Sequence, residues 1–357
     1  MPHPFTDFYR GKRVLVSGHT SFAGGWLTAW LKLLGAQVCG YGLPPSARPN
    51  FFDATLLDRG MTSIFGDLRN REALANAFAD FQPEIVIHYA AQVSAQRAKA
   101  DPVDAFATNV MGTVHILEEA RQIDSVRAVV IANSDNCYQT LTGLSGNCEE
   151  DALGGRDFAG STAACSELAA AAYIREFFLS SKTAVASART GNVIGGGDWA
   201  EGRLVPEIVR GVLAGKQIPV EESPTPQMWQ HVLEPARAHL LLAQKLFERG
   251  QEFSGAWNFG PRDEEAMTAR KFAGKFVELW GAGQLAPGSD HDPAQVPPAF
   301  RLHTHKAQTK LGWKSALPLD HAIAWTVEWY KAFDEDPASP WRTTEDQIQR
   351  YMKSSAG

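Results

Sequence analysis

Arg13-Val-Leu-Val-Ser17 runs without a break into Gly18-His-Thr-Ser-Phe-Ala-Gly24. The first five residues, apolar and β-branched in the middle, read as a buried strand, and the glycine after them permits a turn too tight for a side chain. From Gly24 to Leu34 the apolar residues fall at helical spacing. Strand, glycine turn and helix N-terminus together gather unpaired backbone N–H groups and the positive end of a helix dipole, a place suited to a pyrophosphate. Gly18 serves the turn and Gly24 the close packing of helix on strand, while the middle position of a G-x-x-G-x-x-G loop is Ser21. Gly18, Ser21, Phe22 and Gly24 are the candidate nucleotide contacts of this loop; the plain alternative is a tight turn with no ligand.

Outward from this loop, short β-branched runs alternate with helical patterns. Strands are expected at Gln37–Tyr41, Ile85–Tyr89, Ala128–Ala132 and Val185–Arg189, and helices at Asn70–Phe81, Val103–Gln122 and Ser161–Ser181. Such alternation predicts an α/β fold, a doubly wound parallel (Rossmann) sheet covered on both faces. Within the third helix, Val103, Phe106, Val110, Val114 and Leu117 step by three and four and predict one buried stripe. After Gly191 the texture turns to Gly, Pro and Trp-rich loops. The expectation is a dinucleotide-binding domain over 1–193 plus about 228–260, with a smaller C-terminal substrate lobe from 194–227 and 261–357. Trp257-Asn258-Phe259-Gly260 reads as a late strand returning to the sheet.

Composition narrows the function. Of 357 residues, 44% are hydrophobic and 21% charged, ordinary globular values that exclude a fibrous or disordered chain. Thirty-four basic against forty acidic residues give −6, with no basic tract to follow a nucleic acid backbone. No apolar run is long enough for a membrane span or signal peptide. Cys39, Cys137, Cys148 and Cys165 fall in no metal or redox spacing, which fits a cytoplasmic protein without a metal site. The second strand ends Gly40-Tyr-Gly-Leu43 with no carboxylate for a ribose 2′-OH, so NAD and NADP stay open. Arg48 is either a 2′-phosphate partner or a solvated loop arginine. Asp67, before Leu68, either meets an adenine amino group or caps the helix starting near Asn70.

Beyond these patterns the chain resembles the extended short-chain dehydrogenase/reductases, and within them the CDP-glucose 4,6-dehydratases. The resemblance rests on Gly18-His-Thr, Ala90-Ala-Gln92, Asn109-Val-Met-Gly-Thr113, Ser134-Asp135 with Cys137-Tyr138, Gly191-Asn-Val-Ile-Gly-Gly-Gly-Asp-Trp199, Trp229-Gln-His-Val-Leu-Glu234 and Trp257-Asn-Phe-Gly-Pro261. It implies a nicotinamide cofactor against Ala90, Ala91, Gln92 and Asn109 as well as Asp67 and Leu68. It also implies a nucleotide-sugar ligand near Asn192, Arg203, Gln227 and Trp229, and a homodimer through a four-helix interface. The implied chemistry passes a hydride from sugar C4 to the cofactor, expels water across C5–C6 and returns the hydride to C6. A Tyr-x-x-x-Lys pair carries the first step, a Ser or Thr hydroxyl orients the 4-oxygen and an Asp protonates the departing 6-OH.

Aligned without gaps, the family's G-G-Y-D-P-Y-S-x-S-K-x-C-x-E becomes Gly154-Gly-Arg-Asp-Phe-Ala-Gly-Ser-Thr-Ala-Ala-Cys-Ser-Glu167. The tyrosine position is Ala159 and the lysine position Ala163. General acid–base catalysis is worth roughly 10²–10⁴-fold, and alanine supplies none of it. The family's T-S-D-K is Asn133-Ser134-Asp135-Asn136, its diphosphate arginine is Gln227, a nearby basic position is Glu221, and its H-E-A segment is Val296-Pro-Pro. Ser134 and Asp135 are the surviving candidates for chemistry. Lys99 and Tyr138 are candidate substitute bases, against the plainer readings of a solvated lysine and a packing tyrosine. His88 and His231 read as core residues, and His303 with His305 lacks a third metal ligand. Three functions are ranked: a cofactor-holding nucleotide-sugar protein with altered chemistry or substrate, a non-catalytic pseudoenzyme, and a working dehydratase with a substitute base.

Overall fold

A computed structural model describes residues 5–139, 146–220, 223, 225–262, 265–288 and 300–355. Seven parallel strands make the main sheet: β1 (Arg13–Ser17), β2 (Gln37–Gly42), β3 (Thr62–Phe65), β4 (Ile85–His88), β5 (Ala128–Ser134), β6 (Ala184–Thr190) and, after short strands β7 (Asn192–Ile194), β8 (Gln217–Ile218) and β9 (Trp229–His231), the late β10 (Gly255–Phe259). Their spatial order is β10-β6-β5-β4-β1-β2-β3, with Val14 opposite both Val38 and Ile85. The chain reverses direction of growth between β1 and β4, and in open parallel sheets ligands lie beyond the strand ends at that crevice. The strands expected from sequence are present, and β10 returns beside β6 as its Trp-Asn-Phe run predicted.

Helices cover both faces: α1 (Phe5–Tyr9), α2 (Phe22–Leu33), α3 (Phe51–Ala54), α4 (Arg71–Phe81), α5 (Ala95–Ala100), α6 (Pro102–Phe106), α7 (Gly112–Gln122) and α8 (Phe158–Tyr173), then α9 (Leu204–Leu213), α10 (Leu233–Arg249), α11 (Ala269–Trp280), α12 (Leu319–Glu335) and α13 (Pro340–Ser354). Local chemistry sets their starts. Ser21, Asn70, Asp101, Asp157 and Thr268 each accept a backbone N–H of the following turn, and Pro102 occupies the first turn of α6. A core rich in fully buried aromatics, among them Trp26, Trp30, Trp257, Trp313 and Trp329, fills one face of the sheet. Among the described residues no helix is long and apolar enough to cross a membrane.

One expectation fails. The stripe from Val103 to Leu117 is not buried along its length: Val103 is 77% exposed and Phe106 38%, and only Leu117 is fully covered. A π-helical turn at Ala107–Met111 interrupts the expected single helix and separates α6 from α7. The inward face is instead Ala105, Asn109, Gly112, Thr113, Ile116, Leu117 and Ala120. A wider turn rotates the residues after it relative to those before, which a 3.6-residue period cannot register.

Candidate active site

The β1–α2 loop is built as its glycines require. Gly18 has φ +76°, and a Cβ there would stand 2.7 Å from Ala90 N; a Cβ on Gly24 would stand 2.3 Å from Gly18 O. Ser21, at the middle-glycine position, turns its hydroxyl inward, donating to Gly18 O at 2.7 Å and accepting from Gly24 N at 3.2 Å. It therefore closes the loop as a cap instead of filling its mouth. Among the described residues no acceptor meets the N–H groups of Phe22 and Ala23. A short-approach cradle with unpaired donors at the start of a three-turn helix fits the diphosphate of a dinucleotide.

His88 and its neighbours brace this loop. The Thr113 hydroxyl donates to Asn109 O (2.7 Å), so its oxygen receives the His88 Nε2–H at 3.2 Å. That leaves His88 Nδ1 bare to accept from Ser17 Oγ at 2.6 Å, and Ser17 Oγ in turn accepts from Ala90 N at 3.3 Å. Burial pushes the His88 pKa down to about 4, so the ring is a neutral relay of structural bonds. Asn109 is spent in the same way. Its Oδ1 accepts from Gln92 N (2.7 Å), and its Nδ2 donates to Gln92 O and to Thr162 Oγ1, both at 2.8 Å. Through these bonds Asn109 clamps the Ala90–Gln92 loop to α8.

At the other side of the crevice two readings change. Asn70, not Asp67, caps α4. Asp67 holds Arg69 through both carboxylate oxygens, at 3.0 and 2.9 Å from Nε, and Arg69 reaches on to Asp104. Those bonds hold the Asp67 carboxyl below the usual range. Leu68 is 4% exposed, its side chain packed toward Gly112. Arg48 is exposed in the loop before Pro49. His19 folds over Gly40, bonded through Nε2 to Ser63 Oγ at 2.7 Å.

At the ends of β5 and β6 the scaffold is intact and the reactive side chains are few. Asn133 Nδ2 reaches Ala163 O (3.1 Å), Ser166 Oγ (3.2 Å) and Glu167 Oε1 (2.9 Å), fixing α8 against the strand. Ser134 Oγ accepts from Asn136 N at 3.1 Å and donates to Asp135 Oδ1 at 3.3 Å. Burial pushes the Asp135 carboxyl up to about 6, against the pull of the Arg156 guanidinium, the Ser134 hydroxyl and the Asn136 N–H. Ala159, in the first turn of α8, packs with Ala98 of α5 and Ala105 of α6. Ala163 is a partly buried methyl beside Cys137 and Tyr138.

The two candidate substitute bases have different surroundings. Tyr138 is fully buried; its hydroxyl donates to Asn258 Oδ1 (2.7 Å) and accepts from Arg189 Nη1 (2.8 Å), and burial raises its pKa. It packs, as its plainer reading held. Lys99 is an exposed residue of α5, next to the Ala98 that touches Ala159. Behind them Arg189 and Glu167 form a buried ion pair at 2.7 Å, shared with Ser187 Oγ.

On the sugar side, Asn192 Nδ2 donates to Gln227 Oε1 at 3.3 Å, and Gln227 bridges Met267 through its backbone. Arg203 pairs with Asp198 at 3.0 Å. Trp229 is 5% exposed and packs on Phe272 with ring centroids 4.8 Å apart. His231 sits between the edges of Trp26 and Trp325, its pKa pushed by burial down to about 3. The rings of His303 and His305 lie 5.9 Å apart, and among the described residues no three His, Cys, Asp or Glu gather as a metal site. Glu221 and Val296-Pro-Pro lie outside the described residues.

Sequence reasoning passed over Arg156. Gly155, at φ +77°, tucks the chain beneath α8, and Gly154 N and Gly155 N both bond Cys137 O, at 2.9 and 3.0 Å. Arg156 then lies over the Phe300 ring, 4.3 Å from its centroid. A charge beside Asp135 in a loop that the resemblance makes aromatic was the available signal.

A crevice at the strand reversal, a glycine-shaped helix start and a serine–aspartate pair at the end of β5 define a Rossmann-type α/β protein, and the chain belongs to the NAD dependent epimerase/dehydratase family, which it matches over residues 14–260. More particularly, it is 41% identical over 334 residues to the CDP-glucose 4,6-dehydratase of Salmonella typhimurium, covering 92% of each chain. It is 27% identical over 340 residues to a probable dTDP-glucose 4,6-dehydratase of Sinorhizobium fredii, covering 89% and 92%. Among solved structures, the fold matches the UDP-glucose 4-epimerase of Thermotoga maritima with UDP-glucose (TM-score 0.75, 21% identity, 89% and 98% covered). It also matches the dTDP-glucose 4,6-dehydratase of Bacillus anthracis in complex with NAD (TM-score 0.75, 18% identity, 94% and 100% covered).

Proposed function

We propose that this protein holds a nicotinamide dinucleotide at the β1–α2 loop and a nucleotide sugar over the ends of β5 and β6, without the hydride-transfer machinery of the dehydratases it resembles. The cofactor, NAD or NADP, supplies hydride chemistry when bound. The N–H groups of Phe22 and Ala23 meet its diphosphate in a loop shaped by Gly18, Ser21 and Gly24, and Ala90, Ala91 and Gln92 form the wall above it. Asn192 and Gln227 face the substrate, in a smaller lobe drawn from 194–227 and 261–357. Ser134 orients a sugar oxygen and Asp135 is the proton donor, its raised pKa suiting an acid.

The observation that carries this reading is the pair of methyl groups at Ala159 and Ala163. Tyr138, which packs in a cluster with Ala163, has its hydroxyl bonded to both Asn258 and Arg189. Proton abstraction from a sugar 4-OH by the usual route therefore has no agent there, which favours altered chemistry or an altered substrate. The exposed apolar residues Val103, Phe106, Met111, Phe158, Leu168 and Phe177 on α6 to α8 and the turns beside them support a homodimer through that face.

The test has three parts. Calorimetric titration with NAD and NADP is expected to give saturable binding; none at millimolar cofactor leaves the non-catalytic reading, for which the closed alanine cluster at Ala159 speaks. Incubation with CDP-glucose is expected to give no 4-keto-6-deoxy product, and formation of that product overturns the proposal. Ala159→Tyr with Ala163→Lys then asks whether the missing pair is the sole block.

A further inference from the structure

We propose that the dinucleotide site reads the purine of its ligand through the main-chain N–H of Leu68 and not through the Asp67 carboxylate, so that it accepts dinucleotides lacking the purine 6-amino group. The inference rests on the nicotinamide dinucleotide reading above and names what the site demands of the base.

The strand ends place the base. Gly18 N donates to Tyr41 O at 2.7 Å, and Gly66 N donates to Gly42 O at 2.9 Å. The ends of β1, β2 and β3 therefore stand side by side. A ligand whose diphosphate lies at the start of α2 extends from there across Gly42 toward residues 66–68. Leu43, just past β2, and Phe65, the last residue of β3, are 56% and 58% exposed. Apolar surface of this kind meets the face of a purine, which is present with or without a 6-substituent.

Arg69 decides what the edge of the base meets. An ionised carboxylate has about four lone-pair sites. On Asp67 one neighbour takes them all: Oδ1 accepts from Arg69 N at 2.9 Å and Nε at 3.0 Å, and Oδ2 accepts from Nε at 2.9 Å and from Nη2. The guanidinium is itself pinned, because its Nη1 reaches Asp104 of α6. The turn is held as firmly, with the Tyr41 hydroxyl and Asn70 N donating to Asp67 O at 3.1 and 3.0 Å. An incoming amino group has to displace a charged donor, and charge-assisted bonds are roughly twice as strong as neutral ones.

One donor is left. Among the described residues no acceptor meets Leu68 N, while Leu68 O accepts from His115 Nδ1 at 2.7 Å. The packing of the Leu68 side chain toward Gly112 fixes that peptide. A lone main-chain N–H asks for an acceptor. Ring nitrogen N1 is an acceptor in adenine and in unsubstituted purine, and it carries a proton in hypoxanthine. The site therefore separates bases by N1 and is indifferent to an amino group at C6.

Titration calorimetry on the full chain, in the NAD and NADP series, compares the natural cofactor with its analogue bearing hydrogen at purine C6 and with its hypoxanthine analogue. The hydrogen analogue is expected to bind within about threefold of the natural cofactor, and the hypoxanthine analogue about tenfold weaker, because two donors then face each other. Arg69→Gln releases the carboxylate, and the natural cofactor is then expected to gain more than about threefold over the hydrogen analogue. Thermal denaturation checks that this variant is folded. A merely structural Arg69 lowers both affinities together, and an unchanged ratio in Arg69→Gln overturns the inference. A hydrogen analogue more than about threefold weaker in the wild type also overturns it, by giving the 6-amino group to Asp67. A hypoxanthine analogue as tight as the natural cofactor overturns it by taking Leu68 away from the base. In all three cases the dinucleotide reading stands; no binding of any of the three ligands overturns both.

Discussion

The two ends of the crevice were built to different standards of completeness. At the β1–α2 loop every feature that backbone geometry demands is present, down to a serine that substitutes for a glycine by turning its hydroxyl back onto Gly18 O. At the β5–α8 end the scaffold is just as well made. Asn133 ties α8 to the strand and Glu167 is buried with Arg189, yet positions 159 and 163 of α8 carry only methyl groups. Binding a diphosphate depends on main-chain donors, so it survives substitution of most side chains. Acid–base chemistry depends on two or three terminal atoms and is lost with them.

The comparison breaks most visibly at the scaffold. Glu167→Ala leaves the Arg189 guanidinium buried without its partner and is expected to cost about 3–5 kcal/mol in denaturant unfolding. A loss below about 1 kcal/mol would mean that the ion pair does not hold the β5–α8 end together. Gly18→Ala attacks the other end. With φ +76° and a Cβ 2.7 Å from Ala90 N, it is expected to cost roughly 2 kcal/mol and to weaken dinucleotide binding by more than about tenfold. Unchanged affinity by calorimetry would show that the cradle is only a turn.

Acid sharpens the contrast because the two ends carry opposite signs. Burial pushes His19 and His88 down to about 4, and His231 and His239 down to about 3. The folded state then binds fewer protons than the unfolded one, so stability is full above the ordinary histidine value near 6.5 and is lost as pH falls toward 4. A loss on the order of several kcal/mol is expected across that window, read as a falling melting temperature. Asp135, raised to about 6, works the other way: its contribution is present below the ordinary value of 3.8 and disappears as pH rises through 6. Asp135→Asn is expected to remove only this opposing part and so steepen the acid loss. The smallest effect belongs to Lys99→Ala, within about 0.5 kcal/mol and without change in ligand binding; any activity lost with it would return a base to the site.

Much of this was legible in the chain. Strand ends at Ser17, the expected helix over Asn70–Phe81 and the return of Trp257-Asn-Phe to the sheet follow from period and local chemistry, since each is decided by residues near in sequence. Asn109, Trp229 and Tyr138 were not legible in the same way. Whether an amide or a phenol faces a ligand or is consumed by Gln92, Phe272 or Arg189 depends on partners far along the chain. Arg156 was missed for the same reason, its meaning coming from Phe300 and Asp135.

Sequence alone determined the alternation of strand and helix, the glycine loop and the absence of a phenol and an amine from positions 159 and 163, because these are properties of residue type and spacing. Tertiary structure alone decided that the stripe through Val103 and Phe106 faces outward past a π-helical turn, that burial raises the proton affinity of Asp135, and that Arg156 lies over Phe300 where its charge acts on that acid. Exposure, proton affinity and electrostatic pairing are set by what surrounds a group in space, and neighbours in space are chosen only when the whole chain has folded.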